Sequence, residues 1–180
     1  LFFMFLFFSE KIKLNTRYPS RSFSLNRGVD QFKELMSVDL IKEISSIQKT
    51  IPNRPIRILE FGSGEGVLLL NLMTHFPNAL IYGTNKCRWR EMMGSKSLEE
   101  TANYYQLFKK NDSTLKTKLW PKLYFFDASN GKLPFPNNYF DCIISQRSIT
   151  YIARRDILIE EIWRIMKLEG KAFINIDRTY

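Results

Sequence analysis

Glu60 stands two residues ahead of three alternating glycines, Gly62, Gly64 and Gly66. Glycine adopts positive φ without penalty and lets the backbone pass close to a ligand where any Cβ would intrude. The acid before the first glycine aims a carboxylate at whatever rests on the loop. This is binding chemistry. The dinucleotide-binding spacing is G-x-G-x-x-G, with its acid at the end of the next strand. Here the third glycine falls one position early, and the place it would need holds Val67. A glycine turn that only joins a strand to a helix is the plain alternative.

Residues suited to bond-making are scarce. The sole histidine, His75, falls at the far end of the helix predicted after the glycine loop, so it reads as a surface or packing residue. Cys87 and Cys142 are far apart and form neither a disulfide framework nor a zinc spacing, and no metal site is read. Cys142 lies inside an apolar run and reads as core. No protein nucleophile is evident, and the catalytic residues stay unassigned.

The elements that must hold this loop follow from periodicity. Ile56 to Phe61 is a buried strand, and a helix runs roughly from Glu65 to Phe76. Phe76-Pro77-Asn78 turns the chain into a second strand, Ala79 to Thr84, ending at Asn85. Leu123 to Phe126 is a third strand, delivering Asp127 and Ala128. Leu133 to Ser145 holds a proline-rich turn and a fourth strand, which delivers Ser145 and Gln146. Arg154 to Lys167 is amphipathic, and Gly170 is expected to close that helix before a fifth strand reaches Ile176. Asp30 to Gln48 has helical spacing with Asp30 as its cap, and Ser97 to Lys110 is a further helix. Strands alternating with helices predict an α/β fold with a Rossmann-like, doubly wound, mainly parallel sheet.

The acidic-x-G-x-G-x-G pattern at Glu60 to Gly66 resembles motif I of class I S-adenosylmethionine-dependent methyltransferases. The resemblance extends over roughly Ile56 to Ile176. Its nearest flavour is the small-molecule branch of ubiquinone- and menaquinone-type (type 11) enzymes, with their LPFP-x-x-x-FD-x-I and E-x-x-R-x-L-K-x-G-G segments. Leu133 to Ile143 reproduces the first nearly whole. In the second, Leu168-Glu169-Gly170 replaces the usual proline and two glycines, and Asn85 replaces the acid usual after the second strand.

The resemblance implies S-adenosyl-L-methionine as cofactor. The loop, with Ser63, would cradle its methionine part, and Glu60 would order the amino group. Asn85 would take the ribose hydroxyls without a charge, so restoring the acid should tighten binding. Asp127 would take the adenine amino group and Ala128 the ring, while Ser145 and Gln146 line the methionyl end. Arg147, Ser148 and Tyr151 are substrate candidates, with Tyr18 as a lid candidate. Ser145-Gln146-Arg147-Ser148 stands where adenine amino-methylating enzymes carry N/D-P-P-Y, which argues against that reaction. Two antiparallel strands that complete related sheets are not found after the fifth strand. An open sheet edge, self-association through it, and cofactor binding in excess of turnover are therefore expected.

Bulk properties bound the rest. At 180 residues, one methyltransferase domain at 30–180 is expected, preceded by an apolar and basic extension at 1–29. The first eight residues are wholly apolar but too few to span a bilayer, which takes ~20. A truncated signal or anchor that touches membrane, an organelle transit sequence and a gene-model extension all stay open. An intracellular location, cytoplasm or organelle matrix, is the favoured expectation. Net charge of +9 suits anionic partners, but the basic residues are scattered, so nucleic acid is a less favoured partner than a small or lipid-like substrate. An RNA methyltransferase and a catalytically inactive interaction module are the alternatives.

Overall fold

The computed structural model describes residues 4–7, 27–86, 98–104, 106, 120–128 and 131–175. In chain order these form β1 (Met4–Phe7), α1 (Val29–Met36), α2 (Leu40–Thr50), β2 (Arg57–Phe61), α3 (Val67–His75) and β3 (Leu80–Asn85). Then follow α4 (Leu98–Tyr104), β4 (Lys122–Phe125), β5 (Phe140–Ser145), a short 3-10 turn (Ile149–Tyr151), α5 (Arg155–Ile165) and β6 (Met166–Asn175).

Side chains alternate across each strand, so each strand serves two cores. Ile58, Cys142, Ile144 and Phe173 face one side of the sheet, where Phe32, Leu40, Ile44 and Leu68 pack from α1, α2 and α3. Leu59, Ile143, Ala172 and Ile174 face the other side, against Leu158, Ile162 and Ile165 of α5. Helices on both faces of one sheet are what a doubly wound fold requires.

The sheet has the order β1-β6-β5-β2-β3-β4, and every pairing is parallel. From β2 the chain winds outward to β3 and β4, then returns to the other flank of β2 as β5. The switch point therefore lies between β2 and β5, and the carboxyl ends of those strands frame a crevice.

Three expectations are corrected. The helix predicted across Asp30 to Gln48 is two helices: Ser37 takes a left-handed φ of 55° and Asp39 caps α2, accepting from the Lys42 N–H at 3.1 Å. The apolar rhythm runs through this break, so periodicity could not show it. Gly170 does not close a helix. It ends a bulge in β6, where Phe140 pairs with Met166 and Cys142 with Lys171, and a Cβ there would sit 3.2 Å from the Asp141 carbonyl.

The edge of β6 is not open along its whole length, because Met4–Phe7 pairs with Ala172–Asn175. The same pairing gives the extension expected at 1–29 a strand in the sheet. Tyr18, Cys87 and the Lys109–Lys118 stretch lie outside the described residues. Among the described residues no helix is long and apolar enough to cross a membrane.

The opposite, amino-terminal end of the sheet is locked by charge. Asp141 in β5 accepts from Arg54 Nη1 and Nη2 at 2.8 and 2.5 Å and from the Arg57 N–H at 2.8 Å, and Lys167 lies 3.1 Å away. These bonds hold its carboxyl below the usual range despite burial. Asp141 is thus an anchor, far from the crevice.

Candidate functional site

The glycine loop crosses the end of β2 with Gly62, Gly64 and Gly66 all at positive φ, 72°, 54° and 80°. The three glycines have different reasons. A Cβ on Gly62 would overlap the Ser148 side chain, and one on Gly66 would overlap Leu98 of α4. Those two are required by the protein's own packing. A Cβ on Gly64 would meet only Arg27 Nη1, at 3.8 Å. Of the three, Gly64 alone leaves room for a Cβ.

The loop is laced to the end of β3. Thr84 Oγ1 accepts from the Gly62 N–H at 3.1 Å, and the Thr84 carbonyl accepts from the Ser63 N–H at 2.9 Å. Asn85 bonds Gly64 twice: Oδ1 accepts its N–H and Nδ2 donates to its C=O, both at 2.9 Å. One acceptor and one donor of its amide are committed to the loop, which leaves one of each for the ribose role expected of it.

Glu60 is the last but one residue of β2, only 1 % exposed, and its Oε2 has no hydrogen-bond partner. Burial pushes its pKa up to about 8, with the Arg27 charge and the Leu69 N–H, in the first turn of α3, pulling the other way. The Leu69 N–H thus serves one part of this buried carboxyl group, and Oε2 is left without a donor.

Across the switch point, Ser145 and Ser148 do not present free hydroxyls. Ser148 donates to the Phe61 carbonyl at 2.7 Å, and the two hydroxyls lie 2.6 Å apart. They tie the exit of β5 to the exit of β2. Gln146 is buried with Oε1 unpartnered, and Arg147 adopts a left-handed φ of 58°, a costly backbone for a residue with a Cβ. Tyr151 is 70 % exposed on the turn beyond.

At the neighbouring strand end Asp127 follows β4, its Oδ2 3.0 Å from Lys86 Nζ, and Ala128 is buried. The Phe126 N–H donates to the Asn85 carbonyl at 3.0 Å, so the ends of β3 and β4 advance together. Glu60, the glycine loop, Asn85, Gln146 and Arg147 thus converge on the crevice, with Asp127 and Ala128 on its β4 flank. His75 lies exposed at the other end of α3, and the buried Cys142 thiol is pushed up by its surroundings. Among the described residues no group of three His, Cys, Asp or Glu could hold a metal ion.

One residue of the site was missed. Arg27, just before α1, extends over the loop, and its Nη1 donates to the Gln146 carbonyl at 3.5 Å. In the sequence it is one of several scattered basic residues, and only the docking of α1 on α3 brings it here.

A family model described as a methyltransferase domain, type 11, matches residues 59–174, which include every site residue from Glu60 to Tyr151. The chain belongs to that family. Its members are S-adenosyl-L-methionine-dependent methyltransferases, and S-adenosyl-L-methionine is the cofactor. The residues present fit that group: the loop leaves room at Gly64, and the buried Glu60 has one oxygen, Oε2, without a donor such as an ammonium group.

Among solved structures, a Methanococcus maripaludis protein assigned as an S-adenosyl-L-methionine-dependent methyltransferase is 22% identical, with a TM-score of 0.48 over 73% of this chain and 52% of that one. The YcgJ protein from Bacillus subtilis is 21% identical, with a TM-score of 0.46 over 72% of this chain and 47% of that one. A Haemonchus contortus phosphoethanolamine N-methyltransferase 2, solved with phosphomonomethylethanolamine and S-adenosylhomocysteine, is 20% identical, with a TM-score of 0.44 over 73% of this chain and 27% of that one. The chain thus spans about half, or less, of the length of these structures. No curated protein matches the chain.

Proposed function

We propose that this methyltransferase domain transfers the methyl group of S-adenosyl-L-methionine to a small or lipid-like acceptor. The observation that carries the reading is the buried, donor-poor Glu60 beside the one glycine of the loop that leaves room for a Cβ. When bound, the cofactor supplies an activated methyl sulfonium, so the protein needs no nucleophile of its own. The loop and Glu60 hold the methionine part. Asp127 and Ala128 receive the adenine, and the amide capacity that Asn85 retains serves the ribose. Arg147 and Tyr151 face the acceptor. Holding two reactants in line can supply on the order of 7–11 kcal/mol of the barrier.

The small acceptor is supported by the LPFP-to-FD wording of Leu133 to Asp141. In the fold this segment is bound to α5: Arg164 donates to the Leu133 and Phe135 carbonyls at 2.9 and 2.8 Å, and Glu161 Oε2 accepts from the Leu133 N–H at 2.6 Å. The two segments that resemble the small-molecule branch are therefore one clamp. An RNA acceptor would call for basic residues along the crevice and steep salt dependence of binding.

Calorimetry with S-adenosylmethionine and S-adenosylhomocysteine tests the cofactor site. Formation of S-adenosylhomocysteine with lipid and small-molecule acceptor pools tests transfer. Binding without turnover on any pool would leave an interaction module as the better reading.

A further inference from the structure

Past the glycine loop, two further strand ends carry buried oxygens without hydrogen-bond partners: Gln146 Oε1 just after β5, and Asn175 Oδ1 at the end of β6. Register brings the two residues together. Ile144 pairs with Phe173 and Ser145 with Ile174, so Gln146 and Asn175 come level one position further on. Ile144 and Phe173 face the α1–α3 side, and two residues along a strand return to the same face. Both residues lie on the flank of β2 away from Asp127 and Ala128, at the carboxyl ends of the strands, where an open α/β sheet binds its ligands.

Asn175 is only 2 % exposed and Gln146 3 %. Such positions favour an apolar side chain, because a buried amide oxygen left without a donor costs stability. The neighbours decide what ligand would satisfy the pair. An anionic end brings no donor and leaves both oxygens unmet. A cationic end meets Arg27, whose Nη1 donates to the Gln146 carbonyl at 3.5 Å, and the Arg147 charge adds to that field. A neutral hydroxyl supplies a donor and brings no charge.

We propose that Gln146 and Asn175 form a shelf that binds a neutral hydroxyl group of the methyl acceptor, so that the acceptor is a hydroxylated molecule. This rests on the methyl-transfer reading above. It makes Asn175, one residue past the stretch that matches the family, a specificity-determining residue.

Nuclear magnetic resonance on the isotope-labelled chain, saturated with S-adenosylhomocysteine, tests the shelf without turnover. Hexanol, hexylammonium and hexanoate are the probes, titrated into the wild type, Asn175→Leu and Asn175→Ala. Hexanol is expected to shift the side-chain amide signals of Asn175 and Gln146 and to bind best of the three. Asn175→Leu should lose roughly 10-fold for hexanol, the range of one hydrogen bond, and keep its affinity for S-adenosylhomocysteine. It should also melt no lower than the wild type, since an unmet oxygen has been removed. Asn175→Ala serves where leucine does not fit. No preference for hexanol, undiminished hexanol binding in a folded Asn175 variant, or a much lower melting point in both variants overturns the shelf and leaves the cofactor site standing. Failure of the wild type to bind S-adenosylhomocysteine overturns both.

Discussion

Asn85 holds Gly64 by both backbone groups at once, accepting its N–H and donating to its C=O at 2.9 Å each. The acid expected at this position could do only half of that. Asn85→Asp would set a carboxylate oxygen against the Gly64 carbonyl and lose the donor. We expect it to destabilise the loop by about 1–3 kcal/mol and to weaken cofactor binding, the reverse of what charge alone implies. Denaturant melts and calorimetry on that single variant decide between the two; tighter binding would show that the added charge outweighs the lost donor.

The three glycines should fail differently. Gly64→Val places a side chain where only Arg27 comes near and should abolish cofactor binding while the domain still folds, at a cost of about 1–3 kcal/mol for the left-handed backbone. Gly62→Val and Gly66→Val collide with Ser148 and Leu98 and should unfold the protein or lower its melting point much further. Undiminished binding by folded Gly64→Val would remove the loop from the site.

Glu60 makes stability depend on pH. Its pKa is raised to about 8 in the fold, against an ordinary value of 4.5. Below pH 4.5 both folded and unfolded forms are protonated, and the favourable contribution is fully present. As pH rises toward 8 the unfolded chain ionises first, so stability falls by up to about 1.4 kcal/mol per pH unit, then levels off. Glu60→Gln should flatten that slope, stabilise the cofactor-free protein at pH 8, and weaken cofactor binding. Urea denaturation at pH 5, 6, 7 and 8 measures the slope, and a slope unchanged in the variant would assign it to other groups.

Arg164 joins α5 to the turn before β5 through Leu133, Phe135, Asn137 and Glu161. Arg164→Ala should cost about 2–4 kcal/mol, and Arg164→Lys should rescue little, because one ammonium cannot reach the same set of acceptors. Chemical denaturation gives both values; full rescue by lysine would mean that charge alone matters there.

Removing residues 1–8 should leave cofactor affinity unchanged, because every site strand remains. It should expose the Ala172–Asn175 edge and shift the protein toward dimers or aggregates. Light scattering of the two forms at equal concentration reads the difference, and a monodisperse monomer without the segment would show that the edge needs no cover.

The strands of the site were legible because each is an apolar run ending in a turn signal, and because glycine spacing marks the crossing from β2 to α3. What stayed hidden depended on partners remote in sequence. Met4–Phe7 is a strand only because β6 pairs with it. That Ser145 and Ser148 bond the Phe61 carbonyl was not legible, because a sequence does not reveal that the two strand ends meet. Gly62 and Gly66 carried the right residue for another reason, the bulk of Ser148 and Leu98 against them. Arg27 had no local signal, since its place depends on Val29 docking at Asn71, 42 positions further along the chain.

The pairing of β1 with β6 also sets an order in time. A ribosome delivers Met4–Phe7 before the rest of the described chain, yet its partner Ala172–Asn175 emerges only after β2 to β5. Contacts this distant along the chain form slowly, because the intervening segment must be ordered first. Until then four apolar residues carry unpaired backbone groups, the kind of segment that other nascent chains and chaperones engage. Pulse-labelled hydrogen exchange during refolding should therefore find β2 protected while Met4–Phe7 still exchanges. The switch point is built first, and the border of the sheet is fastened last.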